Sequence, residues 1–280
     1  MDLRGWNYDR RCNSRVCFMN CTINQDNINR CLSALKQYFK NQQVDNIAHV
    51  DFPKSICYGS EEWLIFMFYS CLLDYGMRSK MYHSNLIQTY ESYPDIFNPK
   101  YVQEHYNQNE FELFEIIKNN VHPRYPNVAL KKWVTLSKEL SKYDSLTAQI
   151  KSFTSFDEIE RFIQSINGYG QKTGGLLLRL IYESNICSLN DHVSHIPLDR
   201  HDIEISYLNG IIERKNLNAK QFETLSTAYI NEGYKLGLAP NIVDKYLWQI
   251  GNQFCNHRDC VGCPLYTNCI TKIKSGGKNL

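Results

Sequence analysis

Ile166-Asn167-Gly168-Tyr169-Gly170-Gln171-Lys172-Thr173-Gly174 sits between two apolar patterns of helical period. Before it, Phe156, Ile159, Phe162, Ile163 and Ile166 recur at helical spacing. After it, Leu176, Leu177, Leu180 and Ile181 do the same. Gly168 and Gly170 give the backbone between them access to angles that other residues avoid, so a tight hairpin is expected. The unit therefore reads as helix, glycine hairpin, helix. Backbone N–H groups at the start of the second helix, together with its dipole, would form an anion site suited to a nucleic-acid phosphate. The alternative is an ordinary helix–turn–helix connection with a glycine C-cap.

Working outward, 280 residues predict one large or two modest domains with a sizeable core. With 43% hydrophobic and 21% charged residues, the composition is that of a globular protein. A formal net charge of +2 neither supports nor excludes a nucleic-acid partner, because a local basic face would suffice. The longest apolar run, Trp63–Tyr69 with Cys71–Leu73 beyond Ser70, is too short to span a bilayer. The N-terminus has no apolar stretch of signal-peptide type. A soluble, intracellular protein with no membrane partner is expected. Its eleven cysteines then read as thiols or metal ligands and not as a disulfide framework.

No internal repeat, low-complexity linker or sustained period-two alternation is present. Helical patterns run over Asn27–Phe39, and from Ser60 as a cap through the all-round apolar Trp63–Leu73. Others cover Met81–Tyr90, Phe111–Ile117, Leu130–Leu140, Ile203–Ile212, Phe222–Ile230 and Ile242–Phe254. The expected class is all-α, with about ten helices.

Near the C-terminus Cys255, Cys260, Cys263 and Cys269 stand at the spacing C-x4-C-x2-C-x5-C. Four thiolates in one short loop suit a tetrahedral metal or a cubane iron–sulfur cluster, and ligand type alone does not separate the two. Cys12, Cys17 and Cys21 lack a fourth ligand at convincing spacing and read as incidental thiols.

Taken together, the two stretches resemble the endonuclease III superfamily of DNA glycosylases. I-N-G-Y-G-Q-K-T-G is similar to its L-P-G-V-G-x-K-T-A hairpin, and C-V-G-C-P-L-Y-T-N-C (residues 260–269) is similar to its cluster loop. I-P-L-D-R-H at Ile196–His201 resembles the family's V-D-T-H segment, and a weaker match places Ser70–Lys80 at a substrate-contacting helix start. The likeness covers roughly residues 60 to 270, in the family's order.

The resemblance implies a helix-hairpin-helix glycosylase fold with a six-helix barrel over residues 55–215. A helical iron–sulfur cluster domain would be built from residues 1–54 and 216–280. It also implies a lesion site in the cleft between them and a monomer acting on lesion-bearing double-stranded DNA. Gly168, Gly170, Gln171 and Thr173 would contact DNA, and Cys255, Cys260, Cys263 and Cys269 would hold a [4Fe-4S] cluster in preference to zinc.

The chemistry can be argued from the residues. Lys172 at a helix start, and partly buried in a cleft, would have its protonated form disfavoured. A neutral amine can attack C1′ of a flipped nucleotide and displace the base, and the resulting Schiff base permits β-elimination. Asp199 would stabilise positive charge on the sugar or take a proton from the amine, with Asp202 in reserve. This predicts a bifunctional DNA glycosylase and abasic-site lyase. The plainer alternatives are a phosphate-contacting Lys172 and a helix-capping Asp199. Rival functions are a non-catalytic nucleic-acid-binding module and a glycosylase directed at a modified or foreign base.

The chain departs from the family in four places. The first Cys spacing is shorter than usual. Twenty-six residues separate Lys172 from Asp199, a long interval that resembles archaeal 8-oxoguanine glycosylases and includes Asn190, Asp191, His192 and His195. Gly174 stands where Ala is usual, and Leu72 where the endonuclease III branch has a helix-opening Gln. Arg258, Lys272 and Lys274 are expected to face phosphates from the cluster loop, whose role would be structural.

Overall fold

The computed structural model describes residues 22–40, 50–73, 79–106, 109–189, 196–255 and 260–270. It is all-helical, with twelve α-helices and no strand among the described residues. In chain order these are α1 (Gln25–Phe39), α2 (Glu61–Leu72), α3 (Ser79–Ser92), α4 (Pro99–His105), α5 (Glu110–Ile116) and α6 (Pro126–Leu140). They are followed by α7 (Leu146–Ser152), α8 (Phe156–Ser165), α9 (Gln171–Ser184), α10 (Arg200–Leu208), α11 (Ala219–Lys235) and α12 (Pro240–Ile250). No helix among the described residues is long and apolar enough to cross a membrane.

Local chemistry explains the helix starts. The hydroxyls of Ser60, Ser145 and Ser155 accept from the backbone N–H three residues on, at 3.1, 3.1 and 3.2 Å. Asn24 and Asn218 do the same with their side-chain oxygens. Pro126 opens α6 at a first-turn position that needs no N–H donor, because such a group has no intrahelical partner. α4 and α7, seven residues each, were not expected from periodicity, because so short a helix shows only two turns of pattern.

Two apolar cores form. The first runs from Val50 to Ile186 and is centred on α2, of which nine side chains are buried. Tyr69 stacks on Trp133 with centroids 4.5 Å apart, the Trp133 indole N–H donates to the Ile96 carbonyl at 2.8 Å, and the Tyr69 hydroxyl meets Ser137 Oγ at 2.7 Å. Each large ring so satisfies its polar atom while filling volume. The second core joins Ile28–Phe39 of α1 to residues between Ile196 and Leu265. There Phe39 stacks on Tyr246, and the Tyr229 hydroxyl meets Ser206 Oγ at 2.8 Å. The chain's N-terminal described helix thus packs with its C-terminal half.

Across the seam α9 meets α12 through two buried ion pairs. Arg179 pairs with Asp244, and Lys245 Nζ lies 2.9 Å from Glu183 Oε1. Burial and the neighbouring acids push the Asp244 carboxyl up, against the opposing pull of the Arg179 guanidinium.

Candidate active site

The hairpin forms as its glycines predict. Gly168 has φ +109°, a region that disfavours side chains, and a Cβ there would stand 2.9 Å from Leu72 Cδ1. Between the glycines, Tyr169 is buried and its hydroxyl donates to the Phe68 carbonyl, pinning the hairpin to α2. Gly170 caps α9. Its N–H donates to Thr173 Oγ1 at 3.1 Å, and a Cβ on it would meet nothing within 4 Å. The first-turn N–H groups of α9 have no intrahelical acceptor, and they open onto this free face beside exposed Gln171 and Lys172.

Lys172 is exposed, so the partial burial expected for it is not provided by the protein alone. Leu72 is fully buried at the end of α2, where it packs under Gly168. It is a core residue and not a filler of the space left by a flipped base. Ser70–Leu72 likewise end a helix, whereas the match to Ser70–Lys80 expected a helix start. Gly174 leaves an ordinary gap: a Cβ would sit 3.4 Å from Ile163 Cγ2.

Asp199 is half-buried and is the N-cap of α10. Its Oδ1 accepts from the N–H groups of His201 at 2.6 Å and Asp202 at 3.3 Å, so the capping role expected as the plainer alternative is realised. The segment leading into it is fastened at Ile196, whose N–H donates to Ser226 Oγ on α11 at 2.8 Å. Two close approaches set where this segment lies. A Cβ on Gly175 would be 2.7 Å from Pro197 Cβ, and one on Gly251 would be 2.7 Å from His201 Cβ. Gly175 is three residues beyond Lys172 on α9, and Pro197 is two before Asp199, so this contact packs the segment entering α10 against α9. The charges agree. Burial lowers the His201 imidazole, Asp199 opposes that shift, and Arg200 and Lys172 add to it.

One neighbour was not singled out from sequence. Lys132 of α6 runs its methylenes to 4.0 Å from the Gly168 Cβ position, which puts a cation beside the hairpin. The clue was the Lys131–Lys132 pair on an otherwise apolar-striped helix, but only the fold brings it to the hairpin. Asp202, held in reserve, is buried, and its Oδ2 accepts from the Asp199 N–H at 2.6 Å.

In the cysteine loop, Cys255 and Cys263 pack against the second core with buried Leu265. Burial, and then the thiols of Cys263, Cys269 and Cys260, raise the Cys255 thiol to about 12, so the four share one neighbourhood. Burial raises the Cys263 thiol as well, against hydrogen bonds from the Leu265 and Tyr266 backbone, which lower it as donors to a thiolate would. No three His, Cys, Asp or Glu side chains converge as metal ligands among the described residues. Buried Cys31 of α1 also feels Cys263 and Cys255. Cys12, Cys17, Cys21, the segment holding Asn190, Asp191, His192 and His195, and Arg258, Lys272 and Lys274 lie outside the described residues.

Helical layout and hairpin have counterparts among solved structures. The fold is that of the 8-oxoguanine DNA glycosylase of Methanocaldococcus jannaschii, with TM-score 0.56, 20% identity and 81% of this chain aligned to 92% of that one. The same enzyme, an 8-oxoguanine glycosylase/lyase in complex with a 15mer DNA containing 8-oxoguanine, matches with TM-score 0.56 and 17% identity over 79% and 96%. The 8-oxoguanine DNA glycosylase of Thermotoga maritima matches with TM-score 0.52 and 18% identity over 81% and 97%. No protein-family model and no curated protein sequence matches this chain.

Proposed function

We propose that this chain is a DNA repair glycosylase with abasic-site lyase activity, acting on lesion-bearing duplex DNA through a Schiff base on Lys172. One observation carries the reading: Lys172 opens α9 just after the hairpin, and Asp199 caps α10 close enough that both charges act on His201. Gly168, Gly170, Gln171 and Thr173 present the hairpin's N–H groups to a backbone phosphate. DNA docking covers Lys172 and supplies the desolvation that favours its neutral amine. The amine's nitrogen bonds to C1′, and the base leaves with the electrons of its glycosidic bond. The base takes up a proton, while Asp199 balances charge on the sugar and accepts a proton from the amine. Opening of the sugar's C1′–O4′ bond turns this adduct into the Schiff base, and loss of a C2′ proton from it then expels the 3′ phosphate. The neighbours' named substrate makes 8-oxoguanine the first base to test.

In this reading residues 55–215 form the six-helix barrel, and residues 1–54 with 216–280 form the second domain, although Val50 packs in the first apolar core and Ile196 and Ile212 pack in the second. Cys255, Cys260, Cys263 and Cys269 hold a [4Fe-4S] cluster. Four thiols in one neighbourhood and backbone donors aimed at Cys263 suit that group. When bound, it cross-links the loop to the second core, because the excision steps need no electron. The protein acts as a monomer.

The test is borohydride trapping on duplexes bearing single lesions, wild type beside Lys172→Ala. An adduct on 8-oxoguanine DNA that is lost in the variant is the expected result. DNA binding without any adduct would support a non-catalytic binding module instead.

A further inference from the structure

We propose that Asp199 and Asp202 work as a carboxyl pair sharing one proton, in which Asp202 is a positioning residue that stays neutral at physiological pH. The inference deepens the glycosylase reading and rests on it for its functional part. Its structural part stands alone.

Asp202 is 2% exposed. Its Oδ2 is occupied by the Asp199 N–H at 2.6 Å, while its Oδ1 is buried with no hydrogen-bond partner. A buried carboxylate oxygen without a donor is a costly arrangement, but a protonated oxygen in that place has a proton to give. The acceptor is at hand, because the capping box folds the two carboxyls toward each other, the Asp199 N–H donating to Asp202 Oδ2 at 2.6 Å and the Asp202 N–H to Asp199 Oδ1 at 3.3 Å. Asp199 Oδ1 already accepts two backbone N–H groups, from His201 at 2.6 Å and Asp202 at 3.3 Å.

Apart from the Asp199 N–H, the charged and titratable groups around Asp202 oppose a charge on it. On its own helix it faces Asp199, on α12 it faces Asp244, and on α11 it lies near the Tyr229 hydroxyl. Arg179 of α9 is engaged with Asp244. Burial first, then Asp199 and Asp244, push the Asp202 carboxyl well above the usual range. Two carboxyls this close do not both ionise readily, and one proton serves the pair. The consequence is directional. A neutral Asp202 holds the N-cap backbone by its carbonyl oxygen and the N-cap side chain by its hydroxyl, so Asp199 keeps one rotamer and one negative charge toward Lys172.

Two measurements on the full-length protein test this. In 13C NMR of aspartate-labelled protein, one carboxyl carbon should remain protonated through neutral pH, and that signal should vanish in Asp202→Asn. Asparagine keeps an acceptor and a donor, so Asp202→Asn should excise at neutral pH within the order of magnitude of wild type. Its excision rate should also lose the alkaline limb that ionisation of the pair gives wild type. Asp202→Leu removes both contacts and should lower excision by up to about a hundredfold through misplacement of Asp199. An Asp202 carbon that reads ionised at neutral pH overturns the proposal, as does an Asp202→Asn profile identical to wild type. A shared proton in a protein that excises no base upholds the pair and overturns only the glycosylase reading.

Discussion

Gly175 of α9 and Pro197 of the segment entering α10 touch so closely that a Cβ on the glycine would lie 2.7 Å from the proline Cβ. Neither residue carries chemistry, yet this contact packs the segment that leads to Asp199 against the helix that Lys172 opens.

Gly175→Ala should therefore destabilise the protein by about 1–3 kcal/mol, because the rigid proline ring must shift to admit a methyl group. Excision should fall further than stability alone explains. Its neighbour makes the control: at Gly174 a Cβ would meet Ile163 Cγ2 at an ordinary 3.4 Å. Gly174→Ala should be neutral or stabilise by up to about 1 kcal/mol through helix propensity. Urea unfolding of the two variants checks both signs.

Lys172→Ala should abolish the borohydride adduct and leave the urea midpoint within about 0.5 kcal/mol of wild type, because the side chain is exposed. Asp199→Ala differs, since it also removes the α10 cap and should cost about 1 kcal/mol. Asp199→Asn keeps the cap, so any loss of excision in it reports chemistry.

Asp202→Asn makes a pH prediction whose sign is fixed by burial. The Asp202 carboxyl is raised in the folded protein, whereas it titrates near about 4 when unfolded. Below that range both states are protonated, and the side chain costs wild type nothing relative to asparagine. As pH rises the unfolded state ionises first, so wild type loses stability until the folded pKa is passed. The stability advantage of Asp202→Asn should thus grow between acid and neutral pH in thermal melts. A gap that shrinks over that range would show Asp202 to be charged in the folded state.

At the seam, Asp244→Ala removes the carboxylate that pairs with buried Arg179. Loss of one partner of a buried pair should destabilise by about 3 kcal/mol, while an Arg179→Met, Asp244→Leu double variant should recover much of it. Because this pair ties α9 to α12, the single variant should also slow excision. Denaturant unfolding and trapping on the same preparations separate the two effects.

For the cysteine loop, Cys260→Ala should lower iron content and visible absorbance of protein purified without oxygen, and should weaken DNA binding. Unchanged folding and affinity in that variant would rule out a structural cluster.

Much of the helical layout was legible because periodicity and caps are local. Ser60, the apolar run of α2 and the two-glycine hairpin each state their structure within a dozen residues. The short α4 and α7 were not legible, since so little pattern distinguishes them from loop. Leu72, which stands where the endonuclease III branch has a helix-opening Gln, is buried under Gly168, a placement that only the fold decides. Lys132 and Asp202 were legible only as one of a basic pair and as a reserve acid, because what stands beside each is set by the fold.

The sequence by itself determined an all-α chain, the hairpin, the residue types at its mouth and the capping of α10 at Asp199, since each depends on neighbours along the chain. Tertiary structure decided that Lys172 is exposed, that α1 packs with the C-terminal half, and that a second carboxyl is buried behind Asp199. These depend on desolvation and on contacts between residues far apart in sequence, which no local pattern encodes.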